Sequence, residues 1–262
     1  MPIEARYEFL RRLSPAAGAL AQEYFRRRAD LAIEEKGPTD YVSMADRAVE
    51  TMIAGEIAKA FPGDAFLGEE TANTLAGVPE RLWIVDPIDG THNFLRGVPY
   101  WNVSIAYVER GERTLGAVCD PCAGAVYHAR RGQGAWRTDA QGETRLAASR
   151  RTKLAGGMVC VGHHDRAPDE HYMDIRRALM DRNVAFRNFG CAALQLAHVA
   201  EGRYDAYVEM TLSSWDAMAG LLLVEEAGGY VAPFPGGAKL TERAKVVACG
   251  KGIAEELSAI VR

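Results

Sequence analysis

The apolar run Leu82-Trp83-Ile84-Val85 stops abruptly on Asp86-Pro87-Ile88-Asp89-Gly90-Thr91. This junction constrains the fold more than any other stretch of the chain. It reads as a short buried strand with two carboxylates, three residues apart, at its mouth. Pro87 fixes its own φ and restricts Asp86 before it, while Gly90 admits a close backbone approach or a dihedral that other residues avoid. Taken alone, the segment is equally well an acidic turn after a strand.

Two other acidic segments bear on that choice. Gly68-Glu69-Glu70 ends a predicted strand over 65–68, and Trp215-Asp216 opens a predicted helix behind an apolar strand. Two bare carboxylates about 4 Å apart repel by roughly 4 kcal/mol at an effective dielectric near 20. Were four of these acids to converge, they would have to take up protons or cations. Oxygen donors without cysteine pairs or spaced histidines favour Mg2+ or Mn2+ over Zn2+. The acids also have plain structural readings: Asp216 suits the first turn of its helix, and Asp46 stands at N3 behind an N-cap Ser43.

Around these signals the hydrophobic pattern mixes helices and strands in both halves of the chain. Residues 5–30 read as a helix kinked or restarted at Pro15, and 44–61 as a second helix. The breakers in Lys36-Gly37-Pro38-Thr39-Asp40 make 31–41 a loop. Residues 102–137 alternate apolar and polar side chains around glycine-bearing turns, the pattern of antiparallel hairpins. Beyond 150, strands are expected at 158–161, 204–209 and 246–248, with helices at 168–182, 191–201, 214–227 and the end of the chain. No repeat or linker divides the sequence. The expectation is one domain over 1–262, of mixed α+β or α/β class, with halves near 1–148 and 149–262.

At 262 residues, 48% hydrophobic and 25% charged, the chain can bury a core without disulfides or zinc. Its 31 basic and 35 acidic side chains leave a formal charge of −4, which argues against duplex nucleic acid as a partner. The longest apolar stretch, residues 217–224, is too short for a bilayer, and no secretory signal is visible. Five cysteines, an odd number, suit reduced thiols in a cytoplasmic protein.

Gly68-Glu69-Glu70, Asp86-Pro87-Ile88-Asp89-Gly90-Thr91 and Trp215-Asp216-Ala217-Met218-Ala219-Gly220 resemble, in order and spacing, the three signatures of the inositol monophosphatase family. Lys36 with Asp40, Ser43-Met44-Ala45-Asp46, Asn93-Phe94, Gly190-Cys191-Ala192-Ala193 and Asp205-Ala206-Tyr207-Val208-Glu209 extend the likeness over nearly the whole chain. The resemblance implies a layered α-β-α-β-α sandwich of the sugar-phosphatase type. It also implies a Mg2+-dependent phosphomonoesterase, homodimeric and sensitive to lithium.

Carried onto this chain, Glu69, Asp86, the Ile88 carbonyl, Asp89 and Asp216 would hold two or three Mg2+ ions, or Mn2+ in their place. Glu69 and Thr91 would position the attacking water, supported by Asp46. Gly90 and Thr91 would receive the phosphate at a helix N-terminus, where free amides favour an anion. Asp89, Gly190, Cys191, Ala192, Glu209 and Asp216 would complete the substrate site. Bound metals would lower the pKa of a water, so no nucleophilic side chain is required.

The family's residue matching Glu209 accepts hydrogen bonds from ring hydroxyls. The resemblance therefore points to a small polyol monophosphate, myo-inositol 1-phosphate first. Histidinol phosphate, fructose 1,6-bisphosphate and a 3′-phosphonucleotide are rival substrates within the fold. A regulatory binding protein that retains the fold is the rival from another class. His92 and Cys191 depart from the family's frequent residues without removing an implied ligand. Cys119-Asp120-Pro121-Cys122 has redox-motif spacing but reads as a turn between strands, and His163-His164-Asp165 reads as an exposed loop.

Overall fold

The computed structural model describes residues 2–28, 33–37, 40–71, 79–163, 169–235 and 240–261, with backbone alone for 33–37, 40–43 and 169. Its larger sheet has seven strands in sequence order: β3 (Ala65–Gly68), β4 (Arg81–Asp89), β5 (Asn102–Glu109), β6 (Glu112–Asp120), β7 (Ala125–Arg130), β8 (Gly134–Asp139) and β9 (Gly142–Arg145). β3 and β4 run parallel, and every later neighbour is antiparallel. The smaller sheet has the order β11 (Ala185–Arg187), β10 (Met158–Val161), β12 (Ala206–Leu212), β14 (Ala244–Cys249) and β13 (Tyr230–Val231).

The strand β4 is apolar on both faces because both are covered. Trp83 and Val85 join the core beneath α1 (Ile3–Arg26) and α2 (Met44–Ala60). Leu82 and Ile84 join the core containing α5 (Ala192–Ala200) and α6 (Ser214–Glu226). Those two helices fill the space between the sheets, and residues of both are buried almost all round. A third core lies beyond the smaller sheet, under α4 (Asp169–Met180) and α7 (Ala254–Ile260). The layers therefore alternate helix, sheet, helix, sheet, helix, as the resemblance implied. Among the described residues, no helix is long and apolar enough to cross a membrane.

Local differences from the sequence reading have physical causes. α1 runs through Pro15 without a break. The proline is exposed, while Leu10, Leu13, Ala17, Ala21 and Phe25 form one continuous buried stripe that holds both sides of it. The segment read as a loop over 31–41 contains β1 (Ile33–Gly37) and the start of β2 (Asp40–Ser43), an antiparallel pair with Glu34 opposite Val42. The first-sheet hairpins also continue past 137 through β9. Cys119, near the end of β6, and Cys122, in the β6–β7 turn, are free thiols.

Candidate active site

On an uninterrupted strand, residues three apart face opposite sides. Asp86 pairs with Ser104 and Asp89 with Asn102, so three steps along β4 match two along β5. The extra residue is a β-bulge. Its effect appears in the packing: Ile88 turns into the core of Trp83 and Val85. Asp86 and Asp89 thereby share the face that looks toward α5 and α6.

The helix α6 delivers the third carboxylate. Asp216 Oδ2 accepts the Ser213 N–H at 3.2 Å, and Ser104 Oγ donates to the Trp215 carbonyl at 3.1 Å. Asp86, Asp89 and Asp216 each bring an oxygen into a group spanning no more than 4.8 Å. Asp86 Oδ1 also accepts the Ile88 N–H at 2.9 Å, which braces the bulge.

Asp89 is the most heavily supported of the three. Its Oδ1 accepts the Ala192 N–H at 3.1 Å, and its Oδ2 accepts the Ala193 N–H at 2.7 Å. Asn102 Nδ2 donates to Oδ2 at 2.7 Å, with Cys191 Sγ 3.3 Å away. These amides are the first of α5, where the helix favours a negative charge.

Burial still dominates the electrostatics. It pushes Asp86 well above the usual carboxylate range, and the charges of Glu69, Asp216 and Asp89 push the same way. Asp216 rises to about 7, through burial and then the charge of Asp89. Asp89 is raised by burial against the pull of its donors. Among the described residues, no lysine or arginine forms an ion pair with any of the three. Clustered hard oxygen donors without a cationic partner fit a divalent metal of the Mg2+ or Mn2+ kind.

Around the cluster stand the other predicted residues. Gly90, at φ +87°, makes the left-handed turn into α3 (Thr91–Arg96). Thr91 Oγ1 donates to the Ile88 carbonyl at 2.9 Å and lies 3.4 Å from Asp46 Oδ1. Asp46 occupies the first turn of α2, as expected, but is buried and faces the site. Glu69 is half-buried at the end of β3, its N–H bonded to the Val85 carbonyl.

A cavity of about 160 Å3 opens beside the carboxylates, lined by Asp89, Asp216, Glu209, Gly190, Cys191, Ala192 and His163 among others. Glu209 is 6% exposed, and burial raises it to about 8. Cys191 is buried, with its thiol pushed well up. His163 is exposed at the cavity wall, its ring 4.7 Å from that of Tyr172. His164, Asp165 and the side chains of Lys36, Asp40 and Ser43 lie outside the described residues.

Sequence reading missed Asn102, Ser104 and Tyr207. The first two carry a faint signal, as polar residues at alternate positions of an otherwise apolar strand.

The structure aligns with extragenic suppressor protein suhB from Bartonella henselae at a TM-score of 0.87, with 33% identity over 98% of each chain. The sequence is 39% identical over 248 residues to the inositol-1-monophosphatase of Mesorhizobium japonicum, covering 94% of this chain and 92% of the relative. It is also 39% identical over 244 residues to the Nus factor SuhB of Pseudomonas aeruginosa, covering 90% and 88%. A layered fold with this acidic cluster defines a phosphomonoesterase of the kind that uses divalent metal. Residues 3–262 match the inositol monophosphatase family, and the chain belongs to that family.

Proposed function

We propose that this enzyme hydrolyses a small polyol phosphate monoester, with myo-inositol 1-phosphate as its best substrate. The supporting observation is that Glu209 shares one small cavity with Asp89 and Asp216. A hydroxyl-reading carboxylate then stands beside the carboxylates that would hold metal. Glu69, Asp86, the Ile88 carbonyl, Asp89 and Asp216 are the groups to hold two or three Mg2+ ions, with Mn2+ able to replace them. Bound there, the ions supply the Lewis acidity that activates a water and neutralises phosphoryl oxygens.

The chain's own groups do the rest. Thr91 presents its hydroxyl between the Ile88 carbonyl and Asp46, which orients it toward the attacking water. Glu69 takes the proton of that water. The backbone around Gly90 and Thr91 receives the phosphate, Gly190, Cys191 and Ala192 line the substrate cavity, and Glu209 binds a substrate hydroxyl.

Released phosphate measured with inositol 1-phosphate, histidinol phosphate, fructose 1,6-bisphosphate and a 3′-phosphonucleotide tests this reading. A more than tenfold preference for histidinol phosphate would overturn it. Lithium inhibition, a homodimer and a cytoplasmic location belong to the same proposal. A lithium titration, sedimentation and cell fractionation test them, and the five free thiols accord with the last.

A regulatory binding role is the second reading, favoured by the 39% identity to a relative named Nus factor SuhB. Capture of partner proteins by an inactive Asp89→Asn variant would separate that role from catalysis.

A further inference from the structure

We infer that Asn102 is a positioning residue that fixes the carboxylate of Asp89 for metal binding. The inference rests on reading Asp89 as a metal ligand.

Asn102 stands directly opposite Asp89 in the β4–β5 register, and the bulge turns both to the same face. It is fully buried. Its Nδ2 has two hydrogens, and both are used: one toward Asp89 Oδ2 at 2.7 Å and one toward Cys191 Sγ at 3.1 Å. The reversed amide would set Oδ1 against the Asp89 carboxylate, so Asp89 dictates the orientation.

That orientation leaves Asn102 Oδ1 buried with no hydrogen-bond partner. An unsatisfied buried acceptor carries a desolvation cost that no partner repays. An apolar side chain would avoid that cost, and Ala106 and Val108 on the same face of β5 show that this face accommodates such residues. Asn102 is therefore a poor choice for stability alone. What it adds is a donor to Asp89.

The donors around Asp89 are also unevenly placed. Oδ2 receives Ala193 N–H and Asn102 Nδ2 and has the Cys191 thiol alongside, whereas Oδ1 receives only the Ala192 N–H, at 3.1 Å. Oδ2 is saturated, and Oδ1 keeps lone-pair capacity for a cation. A neutral amide locks this arrangement without bringing a positive charge that would compete with the metal. Hydrogen-bonded partners of metal-binding groups characteristically act in this way.

The test is Mn2+ binding to the metal-free protein, followed by electron paramagnetic resonance, for wild type, Asn102→Ala and Asp89→Asn. Thermal melting without metal is measured on the same samples. Asn102→Ala should weaken Mn2+ binding about tenfold or more while its metal-free melting temperature holds or rises. The near-isosteric Asn102→Leu fills the same volume without a donor and should behave alike, covering the case in which the alanine variant fails to fold.

Wild-type Mn2+ affinity in the Asn102 variants, with affinity lost in Asp89→Asn, would overturn the role of Asn102 alone. Wild-type affinity in Asp89→Asn would overturn the reading of Asp89 itself. A loss of affinity matched by a fall in metal-free melting temperature, or failure of both Asn102 variants to fold, would make Asn102 structural and end the proposal.

Discussion

The Tyr207 hydroxyl donates its proton to Oε2 of Glu209, its neighbour but one on the same face of β12. One carboxylate oxygen is thus held from within the core, and Oε1 accepts no hydrogen bond among the described residues. Glu209→Ala should raise KM for inositol 1-phosphate about tenfold, roughly the 1.4 kcal/mol at the upper end of what one hydrogen bond contributes. KM for an aryl phosphate should change much less. Steady-state kinetics with both substrates make the comparison, and equal effects would mean that Glu209 does not read the substrate.

Gly162 keeps the seat of Glu209 open. A Cβ at this position would lie 2.0 Å from Glu209 Oε2 and 2.6 Å from the Tyr207 hydroxyl. Gly162→Ala should therefore reproduce the KM effect of losing Glu209, because the carboxylate must move. A crystal structure of the variant would show the displaced side chain.

Thr91 has one proton and two acceptors within reach. Removing the hydroxyl in Thr91→Ala should lower kcat about a hundredfold or more at saturating Mg2+, with KM nearly unchanged. Thr91→Ser keeps the hydroxyl and should keep most of the rate. A serine variant as slow as the alanine variant would show that the methyl group's packing, not the proton, is what matters.

Asp89→Asn should abolish turnover and leave the fold intact. The amide retains the side chain's volume but replaces one carboxylate oxygen in a group of three. Circular dichroism and phosphate release on the same preparation test both halves of this expectation. Near-wild-type activity at saturating Mg2+ would remove Asp89 from the metal site.

Stability without metal should fall as pH rises from about 6.5 to 8.5. Asp216 at about 7 and Glu209 at about 8 are both raised by burial, so the folded state holds protons that the unfolded chain releases. Their contribution is complete below the unfolded carboxylate range and is lost as pH climbs through the folded values. Buried His128 and His198, both lowered to about 4, work in the opposite direction but only up to about 6.5. Above that point the acids act alone. Thermal melting in a chelator should show the decline, and Mg2+ should remove the part of it that belongs to Asp216.

The acidic segments were legible because each combines a strand or helix boundary with residues that have few other reasons to occur there. Asp86 to Thr91 announces the end of a buried strand, and Asp216 announces a helix start. The layered fold was legible through the family resemblance, whereas the apolar runs alone left helix and strand layers unassigned. Pro15 misled because intrinsic helix breaking was outweighed by a buried stripe on either side of it. The β1–β2 pair was hidden because Gly37 and Pro38 signal a turn without saying that strands flank it. Asn102 carried only a faint signal for a deeper reason: its importance depends on the residue across the sheet, and register is a property of two strands together.

The bulge in β4 makes chain length, as much as residue identity, the thing that must be preserved at this site. Side chains along a strand are read out in a frame of two, and the one-residue insertion before Asp89 shifts that frame. Deleting Ile88 would leave every carboxylate of the site in the sequence, yet would rotate the following aspartate into the apolar core of Trp83 and Val85. A conservative substitution in this segment alters one contact, whereas a single-residue deletion inverts the whole arrangement. Anyone transplanting these carboxylates into another sheet must carry the frame shift with them.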